Sequence, residues 1–186
     1  MTVGFALCGS FCTYHLVFPV MEQLVREYDV IPIFSGISQV TDSRFGPASE
    51  HLRRAEEICG RKPILTVAEA EPIGPKKLLD VLIIAPCTGN TLAKLSRSVA
   101  DTSVTMAAKS ILRNARPVLI AVSTNDGLAG AAENIGRLLA RKHFYFVPFG
   151  QDDPIRKPAS LIADFTQIPD TLKEALKGNQ IQPVLI

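Results

Sequence analysis

The stretch Val81–Leu95, VLIIAPCTGNTLAKL, contains the unit that decides the fold. Its first residues, Val81–Ala85, are apolar at every position, which is typical of a strand buried on both faces of a parallel sheet. A helix is predicted over Asn90–Val99, and the short polar loop Pro86–Thr91 lies between the strand and the body of that helix. A buried strand, a polar loop and a helix in this order indicate part of a β-α-β arrangement.

The same order recurs on both sides of this stretch. Further strands are predicted at Val3–Cys8, Val30–Phe34, Ile64–Val67, Val118–Val122 and Tyr145–Val147, and further helices around Leu16–Val25, Pro47–Cys59, Val104–Asn114, Ala131–Lys142 and Thr171–Lys177. Pro19 predicts a kink or a late start in the first helix, and Pro32 places its strand near a sheet edge. The alternation predicts the α/β class with right-handed crossovers.

Length and composition fit one domain. The chain has 186 residues, of which 47% are hydrophobic, so it can bury a core without disulfides or a metal. We expect a single domain over residues 1–186, with a loop or arm around 148–160 and an extended tail from Ile181 to Ile186. A net charge of +2 without a basic run argues against nucleic-acid binding. No secretory or transmembrane segment is apparent, so we expect a soluble, cytoplasmic protein with no membrane partner.

The spacing of the cysteines and histidines gives no metal or redox motif. Cys8 and Cys12 are too far apart for CxxC, and the three histidines are scattered. We therefore expect reduced, mostly buried thiols and no metal site. Cys87 follows a strand, and two interpretations stay open for it: a low-pKa thiol at a helix N-terminus, or a packing residue.

Small, hydroxyl-rich loops follow the predicted strands. In an open parallel sheet, ligands bind beyond the carboxyl ends of the strands, and hydroxyls with free N–H groups at helix N-termini hold phosphate. The loops could instead carry ordinary helix caps. Neither GxGxxG nor a P-loop is present. The candidate ligand-binding residues are Gly9, Ser10, Phe11, Ser35, Pro86, Thr88, Asn90, Thr91, Ser123, Thr124 and Asn125.

One arginine stands on the expected ligand side of the sheet. Arg44 lies in the loop after the second strand, where its guanidinium could bind a carboxylate in a bidentate manner or pair with Asp42 on the surface. Glu69 and Glu71 could face one way, but a solvated loop end explains them equally well. No GxSxG motif is present, so no catalytic residue is assigned.

Five long segments carry a resemblance to a known family. They are AEPIGPKKLLD (70–80), APCTGNTLAKL (85–95), VTMAAKSILRNARPV (104–118), STNDGLAGAAENIGRLL (123–139) and YFVPFGQDDPIRKPASL (145–161). Together they resemble the B-subunit family of bacterial dipicolinate synthase. That family lies within the flavoprotein superfamily of FMN-binding cysteine-peptide decarboxylases, phosphopantothenoylcysteine decarboxylases and flavin prenyltransferases. The resemblance implies a three-layer sandwich with a Rossmann-like, flavodoxin-related parallel sheet.

The resemblance also implies an FMN site. The superfamily's Pro-Ala-Ser-Ala-Asn-Thr motif matches Pro86–Thr91, where Thr88, Asn90 and Thr91 would help to hold FMN, while Gly9, Ser10 and Ser35 match the positions that receive its phosphate. The Pro-x-Met-Asn motif keeps only Asn125, since Ser123 replaces the proline and Thr124 the methionine. The catalytic histidine of the decarboxylases would fall near Pro72, where this chain has none, and both departures argue against decarboxylation.

In the family that the chain resembles, the A and B subunits of dipicolinate synthase together oxidise dihydrodipicolinate to dipicolinate in the mother cell of a sporulating bacterium. The A subunit resembles nicotinamide-dependent dehydrogenases, so NAD(P) is expected on that partner. The substrate is a small dicarboxylate, for which Arg44, Lys109 and Arg113 are the candidate binding residues. Three roles stay open for this chain: a catalytic flavin protein of the synthase, a non-catalytic scaffold that binds FMN or another phosphate ligand, or an FMN-dependent decarboxylase-like enzyme.

Self-association is expected as well. The resemblance implies homo-oligomers, as trimers or multiples of trimers. The sequence adds one hint, because the apolar residues of the tail QPVLI could dock on a neighbouring copy.

Overall fold

The computed structural model describes all residues from Met1 to Ile186, and at its centre is a parallel sheet. Its strands β1 (Thr2–Leu7), β2 (Asp29–Phe34), β3 (Val81–Cys87), β4 (Val118–Thr124) and β5 (Phe144–Phe146) lie in the order β2-β1-β3-β4-β5. Strands β6 (Phe149–Asp153) and β7 (Lys157–Ala163) form a hairpin, and β7 pairs antiparallel with the end of β4. One edge of β4 is therefore shared, with β5 on its first half and β7 on its second.

Helices cover both faces of the sheet and produce the predicted three-layer α/β sandwich. They are α1 (Tyr14–Leu24), α2 (Gly36–Val40), α3 (Ala48–Cys59), α4 (Val67–Ala70), α5 (Gly89–Ser96), α6 (Ser103–Leu112), α7 (Ala132–Leu139) and α8 (Ile168–Leu176). Helices α1 and α8 contact each other, and α4 to α7 form a second continuous layer. Every residue of β3 is buried, as its unbroken apolar sequence predicts. No helix has both the length and the apolar character that a membrane span requires.

The two prolines have different consequences. Helix α1 runs from Tyr14 to Leu24 with Pro19 inside it, and a 3₁₀ turn at Phe11–Thr13 precedes it. The apolar face of α1 packs on the core, which compensates for the hydrogen bond that Pro19 cannot donate. Pro32 lies in the edge strand β2, as predicted, and its carbonyl accepts a hydrogen bond from the Ile64 amide.

The predicted strand at Ile64–Val67 is wrong. Ile64 makes a single parallel bridge to Ile33, and the chain then turns into α4. The reason is a capping box, in which the Thr66 hydroxyl accepts from the Glu69 amide and the Glu69 carboxylate accepts from the Thr66 amide. This local signal outweighs the β-propensity of a short apolar run.

The segment expected to be a loop or arm around residues 148–160 is an ordered hairpin. Pro154 lies in its turn, and Pro158 lies in β7 where the ladder with β6 is irregular, so neither proline breaks a regular hydrogen bond. The tail contains no regular element, but Leu185 bridges to Phe149 on β6. The hairpin adds two antiparallel strands to the predicted parallel sheet.

Candidate functional site

The carboxyl ends of β1, β3 and β4 open into a cleft of about 630 Å³, which the hairpin β6–β7 closes on one side. The cleft is lined by Gly9, Ser10, Phe11, Cys12, Thr13, His15, Leu16, Ser43, Phe45, Thr88, Ser123, Thr124, Asn125, Asp126, Asp152, Lys157, Ser160, Leu161 and Ile162. A volume of this size lies within the usual range for small-molecule and cofactor sites. The cleft is thus at the edge of the sheet where the sequence predicts a ligand site.

Seven of the predicted ligand-binding residues line this cleft: Gly9, Ser10, Phe11, Thr88, Ser123, Thr124 and Asn125. The hydroxyls of Ser10 and Ser123 are 2.7 Å apart, so the loops after β1 and β4 meet directly. Because these residues are 113 positions apart in the chain, only the parallel sheet brings them together.

Four predicted residues do not line the cleft: Ser35, Pro86, Asn90 and Thr91. Ser35 is buried and its hydroxyl lies 2.8 Å from that of Ser38. Thr91 is also buried, and its hydroxyl donates to the Cys8 sulfur at 3.3 Å. Thr91 therefore links the start of α5 to the end of β1, while Ser35 contacts the first turn of α2.

Unpartnered backbone amides surround Ser10. The Ser10 amide donates to the Cys8 carbonyl and the Thr13 amide to the Ser10 carbonyl, whereas the amides of Gly9, Phe11 and Cys12 have no acceptor in the protein. Neighbouring free N–H groups that precede a helix form a favourable site for an anion. With the Ser10 and Ser123 hydroxyls, they make a donor set suited to a phosphate group.

Gly89 brings the loop after β3 close to the loop after β4. A Cβ atom at this position would lie 2.8 Å from both the Asp126 carboxylate and the Thr124 hydroxyl. Thr124 donates its own hydrogen bond to Asp126. From the sequence alone, Asp126 was given no site role and the close approach of the two loops was not predicted. The glycine inside the loop is the feature that could have indicated it.

The hairpin supplies the one lysine or arginine side chain that lines the cleft. Lys157 on β7 pairs with Asp152 on β6 at 2.7 Å, and this hydrogen bond raises the pKa of the lysine. Neither residue was given a site role from the sequence, because an irregular arm is predicted here. With Asp126, these groups give the cleft two carboxylates and one ammonium.

The cysteines near the cleft differ in exposure. Cys8 and Cys87 are fully buried, and burial raises the pKa of Cys8 to about 11 and that of Cys87 well above its usual value. Both thiols are therefore protonated at neutral pH, which excludes the low-pKa interpretation of Cys87 and leaves the packing one. Cys12 is exposed, and its sulfur lies 3.7 Å from the Ser10 hydroxyl.

The three candidate carboxylate-binding residues do not converge. The Arg44 guanidinium lies over the Phe45 ring, 4.8 Å from its centroid, at the margin of the cleft. Asp42 accepts instead from the Ala48 amide, so the alternative of an Arg44–Asp42 pair is wrong. Lys109 and Arg113 line a different pocket of about 400 Å³, together with residues that lead into β5. Helix α6 carries them towards the opposite end of the sheet.

Comparison with known proteins places the chain among flavoproteins. The family model described as Flavoprotein matches residues 1–166. The B subunit of dipicolinate synthase from Bacillus subtilis (strain 168) is 44% identical over 185 residues, which cover 99% of this chain and 92% of that protein.

Two solved structures extend the comparison. The crystal structure of the dipicolinate synthase B subunit from Bacillus halodurans C is 46% identical, with a TM-score of 0.91 over 100% of this chain and 95% of that one. The FMN-dependent cysteine decarboxylase SpaF is 20% identical, with a TM-score of 0.69 over 94% and 97% of the two chains. At that identity SpaF shows a shared fold alone.

Proposed function

The chain belongs to the flavoprotein family, and from this membership we propose that it works as the B subunit of a dipicolinate synthase. Together with the A subunit, it would oxidise dihydrodipicolinate to dipicolinate in the cytoplasm of a sporulating mother cell. The observation that carries the proposal is 44% identity along 99% of the chain to a named B subunit, supported by a TM-score of 0.91 to another. The oxidation removes a hydride and a proton from the ring, so it needs a hydride acceptor.

We propose FMN as the ligand of the cleft. Its phosphate would be held by the free amides of Gly9, Phe11 and Cys12 and by the hydroxyls of Ser10 and Ser123, which suit an anion chemically. A flavin, when bound, accepts a hydride. The protein's part is to bind the phosphate, to orient the ring system and to exclude water with the hairpin.

The histidine of the superfamily's decarboxylases has no counterpart at its expected place in this chain. Pro72, near which the decarboxylases' histidine would fall, lies in a 3₁₀ turn at Glu71–Ile73 and does not line the cleft. His15 is the one histidine at the cleft. We therefore propose that the chain does not decarboxylate cysteine-containing substrates.

The second candidate role is a scaffold that binds FMN or another phosphate ligand while the A subunit, with its own NAD(P), carries out the hydride step. The observation that favours it is the state of the ionisable groups in the cleft. Lys157 is paired with Asp152, and Asp126 already accepts from Thr124. Neither pair offers a free acid or base for a ring proton, and His15, which also lines the cleft, is exposed to solvent.

The decisive experiment measures dihydrodipicolinate oxidation by this chain and a purified A subunit, separately and mixed. We expect activity from the mixture alone, and flavin absorbance in this chain if its role is the catalytic one. If a colourless chain restores activity, the scaffold role is supported. Full activity without the A subunit, or none in the mixture, would contradict the proposal.

Calorimetric titration with FMN tests the site itself. Ser10→Ala removes a hydroxyl proposed to hold the phosphate and should weaken FMN binding about tenfold, because a hydrogen bond to a charged group contributes about 1.5–3 kcal/mol. Thr88→Val, which replaces a hydroxyl lining the cleft with a methyl group, should also weaken FMN binding. Thr166→Val, at an exposed hydroxyl outside the cleft, is the control. Wild-type affinity in both cleft variants would refute the phosphate assignment.

A further inference from the structure

A second pocket, of about 400 Å³, lies at the opposite end of the sheet from the cleft. Its walls come from the last turn of α5 and the loop after it, from one face of α6 and from the turn before β5. Six of its lining residues are apolar: Leu95, Val99, Ala100, Ala108, Leu112 and Phe144. No residue of the cleft lines this pocket, so the two spaces are separate.

The rim of this pocket is basic. Lys109 and Arg113 lie one helical turn apart at the end of α6, where they share a face, and Lys142 lies in the turn before β5. All three residues are exposed and none forms a salt bridge, while no Asp or Glu lines the pocket. The pocket therefore presents positive charge that no carboxylate of the chain neutralises by direct contact.

Arg141 joins the two sides of the pocket. Its guanidinium donates to the Leu95 carbonyl and to the Ser98 hydroxyl, each at 2.9 Å. These bonds tie the turn after α7 to the end of α5, whose last carbonyls lack partners within the helix. The pocket is therefore built into the fold, and we call its rim of Lys109, Arg113, Arg141 and Lys142 the basic face.

Positive charge extends around the basic face. The stretches 94–116 and 137–143, which hold every lining residue except Phe144, contain eight of the chain's 20 lysines and arginines but one of its 18 acidic residues, Asp101. Asp101 pairs with Lys94 at 2.8 Å. The helix dipole favours cations at helix C-termini, which accounts for part of this charge but not for the apolar pocket inside it. A surface of one sign attracts a partner of the opposite sign.

The polar groups of the pocket favour a protein partner over a small ligand. Thr105 is buried, and its hydroxyl already bonds with Thr102 in the cap of α6, while the Ser98 hydroxyl accepts from Arg141. A small-molecule site usually has free polar groups that fix its ligand, whereas an apolar pocket inside an exposed charged rim is typical of the anchor site of a protein interface. Nucleic acid would contact the cations through its phosphates and leave the apolar walls unfilled.

From these observations we propose that the basic face docks the A subunit of the synthase, through an acidic segment of that partner that places an apolar side chain in the pocket. The inference rests on the proposed function, in which the two subunits act together. It moves Lys109 and Arg113 from substrate binding to partner binding. Docking at this end keeps the A subunit away from the cleft of the same chain, which agrees with the scaffold role, in which the A subunit carries out the hydride step.

The test is association of the full chain with the purified A subunit, measured by biolayer interferometry at low and at high salt. We expect binding that weakens as salt rises. Lys109→Glu and Lys142→Glu, which reverse exposed charges, should each weaken it about tenfold, and Val99→Ser, which shortens an apolar wall, severalfold. The matched control is Arg26→Glu, because Arg26 is also an exposed cation without a salt bridge but follows α1 in the other helix layer.

Activity of the mixture separates docking from substrate binding. In Lys142→Glu the half-saturating concentration of the A subunit should rise about tenfold, while the maximal rate with excess A subunit stays at its wild-type value. The thermal midpoint should also stay near wild type, because Lys142 is exposed. If Lys109→Glu raised the KM for dihydrodipicolinate without weakening association, Lys109 would bind substrate and the docking role would be overturned.

Other results would also overturn the docking face. They are equal weakening by Arg26→Glu, wild-type association in all the pocket variants, and loss of self-association in place of A-subunit binding, which would assign the face to a second copy. Binding of a DNA duplex that Lys109→Glu abolishes and the A subunit does not displace would assign it to nucleic acid. The proposed function fails separately, when the wild-type chain and the A subunit neither associate nor oxidise dihydrodipicolinate together.

Discussion

Among single residues, those that shape the cleft act through hydroxyls and backbone amides. Ser10 and Ser123 join two loops, and the free amides of Gly9, Phe11 and Cys12 surround Ser10. The thiols of Cys8 and Cys87 contribute to packing, since burial keeps them protonated. Two other groups, the Cys12 thiol and the His51 ring, can be tested directly by measurement.

Native-state thiol labelling should single out Cys12. Cys8 and Cys87 are buried, and burial of the partly exposed Cys59 raises the pKa of its thiol to about 12, so all three should react slowly. With a disulfide reagent at pH 8 we expect one fast-reacting thiol, which Cys12→Ser removes. Saturating FMN should slow this reaction, because Cys12 lines the cleft. Fast labelling of two or more thiols in the folded chain would contradict the burial pattern.

His51 should make stability depend on pH. Burial lowers the pKa of His51 below its ordinary value of 6.5. The charge of Arg54 lowers this pKa further, while the charge of Glu50 raises it. Between the unfolded and folded pKa values the unfolded chain binds more protons, so stability falls as the pH drops below about 6.5. Thermal midpoints from pH 7.5 to 5.0 should fall less in His51→Phe than in the wild type. The exposed His15→Gln is the control, and parallel curves for His51→Phe and wild type would refute the prediction.

Among the elements, the three helices α4, α5 and α6 begin at side-chain caps. Thr66 and Thr102 each form a capping box, at the starts of α4 and α6. Thr88 accepts from the Thr91 amide at the start of α5. These caps set where the loops before α4, α5 and α6 end, whereas the loop before α1, which holds the free amides of the cleft, has no side-chain cap.

Removing the Thr102 cap should destabilise α6 and, with it, the sheet that α6 covers. The Thr102 hydroxyl accepts from the Thr105 amide at 3.1 Å, and loss of such a cap costs about 1 kcal/mol. Urea unfolding should show this loss in Thr102→Ala, whereas Thr102→Asp, which keeps an acceptor, should stay near wild type. Equal losses in the two variants would mean that the cap does not contribute.

At the scale of the whole molecule, the sheet ends in a hairpin and a docked tail. The Phe149 amide donates to the Val184 carbonyl at 3.0 Å, and the Ile186 amide donates to the Phe149 carbonyl at 3.1 Å. The tail therefore pairs with β6 of its own chain. From its apolar sequence alone, docking on a neighbouring copy was also open. Apolar side chains stay exposed elsewhere, including Val40 at 77% and Ile37 at 57%.

Deleting residues 181–186 tests the docking of the tail on β6 separately from self-association of the chain. We expect the wild-type chain to self-associate as trimers or multiples of trimers, and the deletion to keep that state while lowering the thermal midpoint. The physical reason is that the deletion removes hydrogen bonds within the chain and leaves the exposed apolar residues of α2 in place. Light scattering and thermal denaturation measure the two effects. A strict monomer for the wild type, or dissociation on deletion, would contradict this expectation.

Local sequence by itself determined the parallel strands and the end of the sheet where the cleft lies. Apolar runs such as Val81–Ala85 can be buried only inside a sheet covered on both faces, and loops after parallel strands must meet at one edge. The hairpin and α4 escaped this reasoning, because antiparallel pairing of β6 with β7 and the capping box at Thr66 outweigh local apolar and proline signals.

Only the tertiary structure decided which side chains share a site. Helix α6 carries Lys109 and Arg113 away from Arg44, whereas Phe45 and His51 meet Phe11 across separate elements. Contacts of this kind depend on how helices and loops pack over the sheet, and residue periodicity records which face is buried but not which neighbour it meets. The hydroxyl loops were therefore visible in the sequence, while the pocket that Lys109 and Arg113 share with Lys142 required the folded chain.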